Sequence, residues 1–85
     1  MAVEILYFAW VRQKVGKGAE RIALPPGATD IAGLMAHLAA QSPGHAEAFA
    51  HGKQIRAAVN QEFVAPGHPV KDGDEVAFFP PVTGG

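Results

Sequence analysis

The sequence predicts an α+β domain: a mixed β-sheet with one main helix packed on one face. Three observations carry that prediction. Dense β-branched and aromatic segments lie near both ends of the chain, and a stretch between them repeats apolar residues at helical spacing. Strand-like segments precede and follow that stretch, the order expected when a helix crosses over one face of a sheet.

Each element has its own signal. "VEILYFAWV" at residues 3–11 is β-branched and aromatic and reads as a strand. Its alternation puts Val3, Ile5, Tyr7 and Ala9 on one side and Glu4, Leu6, Phe8 and Trp10 on the other. "RQKVGKG" reads as a turn or a short helical piece, and "AERIALP" at residues 19–25 as a second strand broken by "PGATD". Thr29 and Asp30 suit a helix start, where a side-chain oxygen accepts from unpaired amides. From there "IAGLMAHLAAQ" places Ile31, Leu34, Met35 and Leu38 on one stripe and stops near Ser42 and Pro43. "HAEAFAHG" is a weaker second helical piece ending at Gly52. Residues 54–60, "QIRAAVN", alternate as a strand, and "QEFVAPGHPV" gives a short edge-like stretch. "KDGDEV" is a turn signal leading into the last strand, "EVAFFPP". The first and last strands are the most apolar, which predicts that they pair at the centre of the sheet. The resulting ββαβ(β)β order matches the β-grasp, or ubiquitin-like, fold.

Composition bounds the chemistry. Eighty-five residues make one domain, divided into residues 1–79 and an extended, flexible tail at residues 80–85. With 48 % hydrophobic residues and no cysteine, the core forms without staples, and disulfides, thiolate metal sites and a sulfur nucleophile are excluded. Seven basic and eight acidic residues, spread along the chain, give a formal charge of −1 and no stripe for nucleic acid. The apolar start carries Glu4, lacks a positive leader, and is shorter than the about 20 residues a bilayer span needs. The reading is a soluble, cytoplasmic protein with no membrane or nucleic-acid partner.

Internal catalytic chemistry is not expected. His37, His45, His51 and His68 lack metal-ligand spacing and read as surface residues, so no metal site is predicted. Asp72, Asp74 and Glu75 read as a solvated hairpin turn, and "GKG" at residues 16–18 as a turn instead of a phosphate cradle. Ser42, beside Pro43 at a helix end, does not read as an activated nucleophile.

The tail, "PPVTGG", is different. Pro80 and Pro81 have no backbone donor, so they end sheet pairing and hold the chain stiff. Val82 and Thr83 favour extended backbone, and Gly84 and Gly85 strip the tip of side chains. Six extended residues reach about 20 Å, enough to place the tip inside a partner's pocket. The reactive group is then the Gly85 α-carboxylate. It is ionised at neutral pH and becomes an electrophile only when an oxygen is made a leaving group.

"DGDEVAFFPPVTGG", with "AAVNQ", "FAWVRQKVG" and "HLAAQS", strongly resembles the small, sulfur-carrier subunits of molybdopterin synthase, and the likeness covers essentially the whole chain. The resemblance implies that a ubiquitin-activating-type enzyme adenylates Gly85 with ATP, that a sulfurtransferase system converts it to a thiocarboxylate, and that this chain binds no cofactor itself. It implies that Gly84 and Gly85 thread into the large synthase subunit. There the sulfur passes to cyclic pyranopterin monophosphate, with two carriers serving one heterotetramer. This chain is then the non-catalytic sulfur donor. Pro80, Pro81, Val82 and Thr83 form the stalk. The positions of Phe8, Phe63 and Phe79 are those the family uses for partner contact, and Arg12 that of a polar contact. Leu6, Phe8, Ala77 and Phe79 are expected on the uncovered sheet face, beside Glu4 and Glu75; the rival reading packs Phe8 and Phe79 into the core beneath a loop. Trp10 and the "VRQKVG" start depart from the family pattern at the edge of that surface. A carrier of the thiamine pathway, a ubiquitin-like protein modifier and an inert adaptor are the alternatives.

Overall fold

A computed structural model describes residues 2–27, 29–50 and 54–81. Strand β1 (Val3–Tyr7) pairs in parallel with β5 (Glu75–Phe79) and antiparallel with β2 (Ala19–Ile22). Strand β3 (Arg56–Val59) pairs antiparallel with β5 and with the short edge strand β4 (Glu62–Val64). The sheet order is β2-β1-β5-β3-β4, so the first and last strands are central, as their apolar composition predicts. Among the described residues three α-helices accompany it: α1 (Ala9–Val15), α2 (Ile31–Ala39) and α3 (Pro43–Phe49). Among the described residues no helix is long and apolar enough to cross a membrane.

Parity sorts the sheet cleanly. Val3, Ile5, Tyr7, Val76 and Phe78 are all buried on the helix side, with Ile31, Leu34 and Leu38 of α2 packed in the same cluster. Each such large side chain contributes roughly 1.5–3 kcal/mol on leaving water. Phe49 of α3 meets Phe78 edge-on, with ring centroids 5.2 Å apart. Asp30 caps α2 by accepting from the Gly33 N–H at 2.8 Å. The loop after β4 supplies further partners, its His68 and Pro66 carbonyls accepting from the Ile31 and Ala32 N–H groups.

Five sequence expectations are corrected here. The first strand was expected through residue 11 but stops at Tyr7. Phe8 keeps extended backbone, Ala9 turns with φ 53°, and residues 9–15 form α1, with Val11 and Val15 buried one turn apart. An apolar run satisfies both periods, and packing against α3 and the sheet selects the helix. Strand β2 likewise pairs only as far as Ile22, short of residue 25. The second helical piece starts earlier than residue 45, because Ser42 ends one helix region and caps the next. Its Oγ accepts from the His45 N–H at 3.1 Å, with Pro43 in the first turn. At Gly44 an added Cβ would stand 2.5 Å from the Lys14 carbonyl oxygen, so the bare backbone sets how closely α3 approaches α1.

The fourth and fifth corrections concern polar residues. His45 was expected at the surface; it is 4 % exposed. Glu20 Oε2 accepts from the Tyr7 hydroxyl at 2.6 Å and lies 2.7 Å from His45 Nε2, while Ser42 Oγ lies 2.7 Å from His45 Nδ1. A carboxylate only accepts, so Nε2 is the donor in that pair. The network ties α3 to β1 and β2. Asp74, expected in a solvated turn, is also buried. It accepts from the Lys71 N–H and the Asn60 side-chain amide, each at 3.0 Å, and Asn60 Oδ1 accepts from the Glu75 N–H at 3.0 Å. These bonds lock the two-residue hairpin turn of Asn60 and Gln61, both at positive φ, onto the start of β5.

Candidate functional site

Side chains that alternate away from the helices build the candidate site on the opposite face of the sheet. Register sets its layout. Leu6 lies beside Ala77 and Ala19, Ala77 beside Ala58, and Ala58 beside Phe63, so one row of apolar side chains crosses all five strands. Toward the start of β5 the next row is charged. Glu4 pairs with Glu75 and with Arg21, whose Nη2 is 3.5 Å from Glu4 Oε1. Toward the end of β5 the row is aromatic and cationic. Arg56 stands opposite Phe79, and Phe8 follows the last β1–β5 pair, donating its N–H to the Phe78 carbonyl at 3.1 Å.

This aromatic end is where the chain leaves the sheet. Phe8 is 49 % and Phe63 80 % exposed, and they are the exposed large hydrophobic side chains among the described residues. Phe79 is half-buried, its ring centroid 5.4 Å from that of Phe63. A cleft of about 330 Å³ runs between Arg56, Phe63, Val64, Phe79 and Pro81. Pro80 is half-buried, and Pro81, exposed, lines the same cleft as Phe63 and Phe79. Apolar side chains concentrated on one small face are the mark of a surface that another protein covers.

Every described candidate therefore has a place. Phe8, Phe63, Phe79, Pro80 and Pro81 gather at one end of the open face, and the exposure of Phe8 excludes its packing under a loop. Arg12 lies one turn along α1 from Phe8, exposed, its N–H 3.4 Å from the Phe8 carbonyl. Leu6 sits half-buried in the apolar row. Val82, Thr83, Gly84 and Gly85 lie outside the described residues. Sequence reading missed Arg56, which lines the cleft beside the stalk. Its signal was the alternation of "RAAV" against "AFF", visible only once the β3–β5 register is known.

The electrostatics of the helix side contrast with this face. Burial raises the Glu20 carboxyl, but hydrogen bonds from Tyr7 and His45 and the charges of His45 and Lys17 outweigh it, leaving Glu20 below the usual carboxylate range. Burial first, and then Glu20 itself, raises the Tyr7 phenol. Among the described residues no group of three or more histidine, cysteine or acidic side chains could hold a metal.

Comparison with known proteins follows the same outline. The ThiS family model matches residues 5–85. The chain is 49 % identical over 83 residues to the molybdopterin synthase sulfur carrier subunit of Escherichia coli (strain K12), covering 98 % of this chain and 99 % of that one. It is 35 % identical over 86 residues to the human protein of the same name, covering 98 % and 93 %. Among solved structures it resembles SAMP1 from Haloferax volcanii, with a TM-score of 0.74, 26 % identity and full coverage of both chains. It also resembles a chain in the complex of subunits 1 and 2 of molybdopterin-converting factor from Helicobacter pylori 26695, with a TM-score of 0.65, 28 % identity and full coverage of both.

Proposed function

Because the chain belongs to the ThiS family, among the molybdopterin synthase sulfur carrier subunits, we propose that Gly85 carries sulfur as a terminal thiocarboxylate to cyclic pyranopterin monophosphate. The Gly85 carboxylate attacks the α-phosphorus of ATP on a ubiquitin-activating-type enzyme, releasing pyrophosphate and leaving an acyl adenylate. Sulfide equivalents from a sulfurtransferase system then attack the acyl carbon, and AMP leaves. In the large synthase subunit the sulfur passes to substrate, and a water oxygen restores the carboxylate. Two such transfers supply a dithiolene, which fits a heterotetramer with two carriers.

The observation that carries this reading is the continuity of the open face with the stalk. Phe8, Phe63 and Phe79 crowd the end of β5 from which Pro80 and Pro81 lead, and the family match runs through Gly85. A partner that covers the aromatics is thereby placed at the root of the segment bearing the reactive carbonyl. Gly84 and Gly85 carry no side chain to obstruct a narrow channel, and no Cβ shields the acyl carbon.

Incubation with activating enzyme, ATP and a sulfide donor tests the proposal. The intact mass is expected to rise by the difference between one sulfur and one oxygen atom, with the change confined to the C-terminal peptide. A second reading, conjugation to lysines, is favoured by the likeness to the small archaeal modifier protein 1 of H. volcanii, with a TM-score of 0.73 and 26 % identity. That reading predicts larger, laddered species instead, and their appearance without a thiocarboxylate would overturn the carrier assignment.

A further inference from the structure

The strands of the open face carry an unmatched charge at each end of the apolar row. Where β5 begins, Glu4 and Glu75 lie side by side in parallel register, and the one cation there, Arg21, is 3.5 Å from Glu4. Like charges on adjacent strands repel. The half-buried Glu75 carboxylate has no cation within ion-pair distance among the described residues. A cleft of about 380 Å³ opens beside it, lined by Glu4, Arg21, Gly73 and Asp74. At the opposite end Arg56 is exposed and likewise makes no ion pair among the described residues.

The two charges are placed evenly about the row. Arg56 stands opposite Phe79, two residues beyond Ala77 on β5, and Glu75 lies two residues before Ala77. At about 3.3 Å per residue they are roughly 13 Å apart along the strands. A two-fold axis lying in the face and crossing the strands at Ala77 turns a second copy face down on the first. It reverses the strand direction, lays one apolar row on the other, and carries each Arg56 to the end that holds the other copy's Glu75. Ala19, Ala58 and Ala77 keep the row low, so the sheets approach to the about 10 Å of packed sheets, within an arginine's reach.

We propose that the open face binds a second copy of this chain, in a two-fold dimer closed by two reciprocal Arg56–Glu75 pairs. An apolar strip with opposite charges at its two ends complements itself once turned over, because residue i meets j and j meets i. The guanidinium takes the carboxylate through parallel hydrogen bonds. Five strands about 4.8 Å apart and about 15 Å long offer roughly 350 Å² per copy, below the about 800 Å² of a stable complex. The dimer is therefore weak and exchanges readily. Free chains shield one another's Phe63 and Phe79 in it, and a tighter-binding partner displaces the second copy.

Sedimentation equilibrium of the intact chain alone, from micromolar to millimolar concentration, tests this independently of any docking to the large subunit. The mean mass is expected to climb from that of one chain toward that of two, and to climb less at high salt. Arg56→Glu or Glu75→Arg sets like charges together and is expected to weaken association about fivefold or more. A chain carrying both swaps rebuilds each pair with its sign reversed and should associate as the unaltered chain does. Both side chains lie outside the core, so each variant should melt normally. Where a swapped chain melts early, Arg56→Gln and Glu75→Gln read the same pair, each weakening association about twofold and reducing its salt dependence. A chain that stays monomeric at millimolar concentration and low salt overturns the proposal. So do single swaps that leave association unchanged, or a double swap that associates no better than the single ones.

Discussion

The two faces of the sheet obey opposite rules. On the helix side every buried side-chain nitrogen and oxygen among the described residues has a partner, and the buried His45 is gripped at both ring nitrogens. On the open side, exposed phenylalanines stand beside arginines that have no ion pair among the described residues. An unpaired polar group in a core costs about 1–3 kcal/mol, so the covered side must be complete within the chain. The open side is the one proposed to be completed by another molecule. Adjacent residues of one strand thus serve different ends in this account: Phe78 is buried in the core, and Phe79, half-buried on the open face, is the one proposed to meet a partner.

That neighbouring pair gives the largest expected effect. Phe78→Ala should cost about 3–5 kcal/mol of stability, the usual range for a buried phenylalanine, read as a lowered midpoint in denaturant. Phe79→Ala should leave the midpoint nearly unchanged and weaken large-subunit binding by about 2 kcal/mol or more, as central interface aromatics do. If the two variants lost stability equally, the division between faces would be wrong.

Smaller effects probe the buried network. Glu20 titrates below its ordinary value, so its contribution is present above the unfolded carboxylate pKa of about 4.3 and is lost as pH falls through the folded value. Tyr7 titrates above its ordinary value, so its contribution is complete below about pH 10 and is lost as pH rises further. Urea midpoints measured across pH should therefore fall at both extremes. Glu20→Gln is expected to flatten the acid limb, and Tyr7→Phe the alkaline limb. Limbs unchanged by these variants would remove the network from the account of stability.

Much of this division could be read before any coordinates. Alternation along "VEILY" and "EVAFF" separates Val3, Ile5, Tyr7, Val76 and Phe78 from Leu6, Ala77 and Phe79, because the strand period of two is fixed by backbone geometry. Residues 9–11 were misread because an apolar run carries no period of its own once its partners are unknown. His45 and Asp74 were misread for a related reason. A polar side chain is buried only if distant residues supply its hydrogen bonds, and Glu20 and Asn60 lie 25 and 14 positions away. The chemistry proposed for the tail draws on a different kind of signal, since Gly84 and Gly85 carry no side chains, which the sequence states outright.

Deleting Gly85 tests the separation of scaffold from chemistry most directly, with thermal melting and thiocarboxylate mass measured on the same preparation. The expected result is an unaltered Tm together with complete loss of sulfur loading by the activating enzyme. A truncated chain that still acquires the sulfur mass, or one that unfolds for want of that residue, would contradict the account.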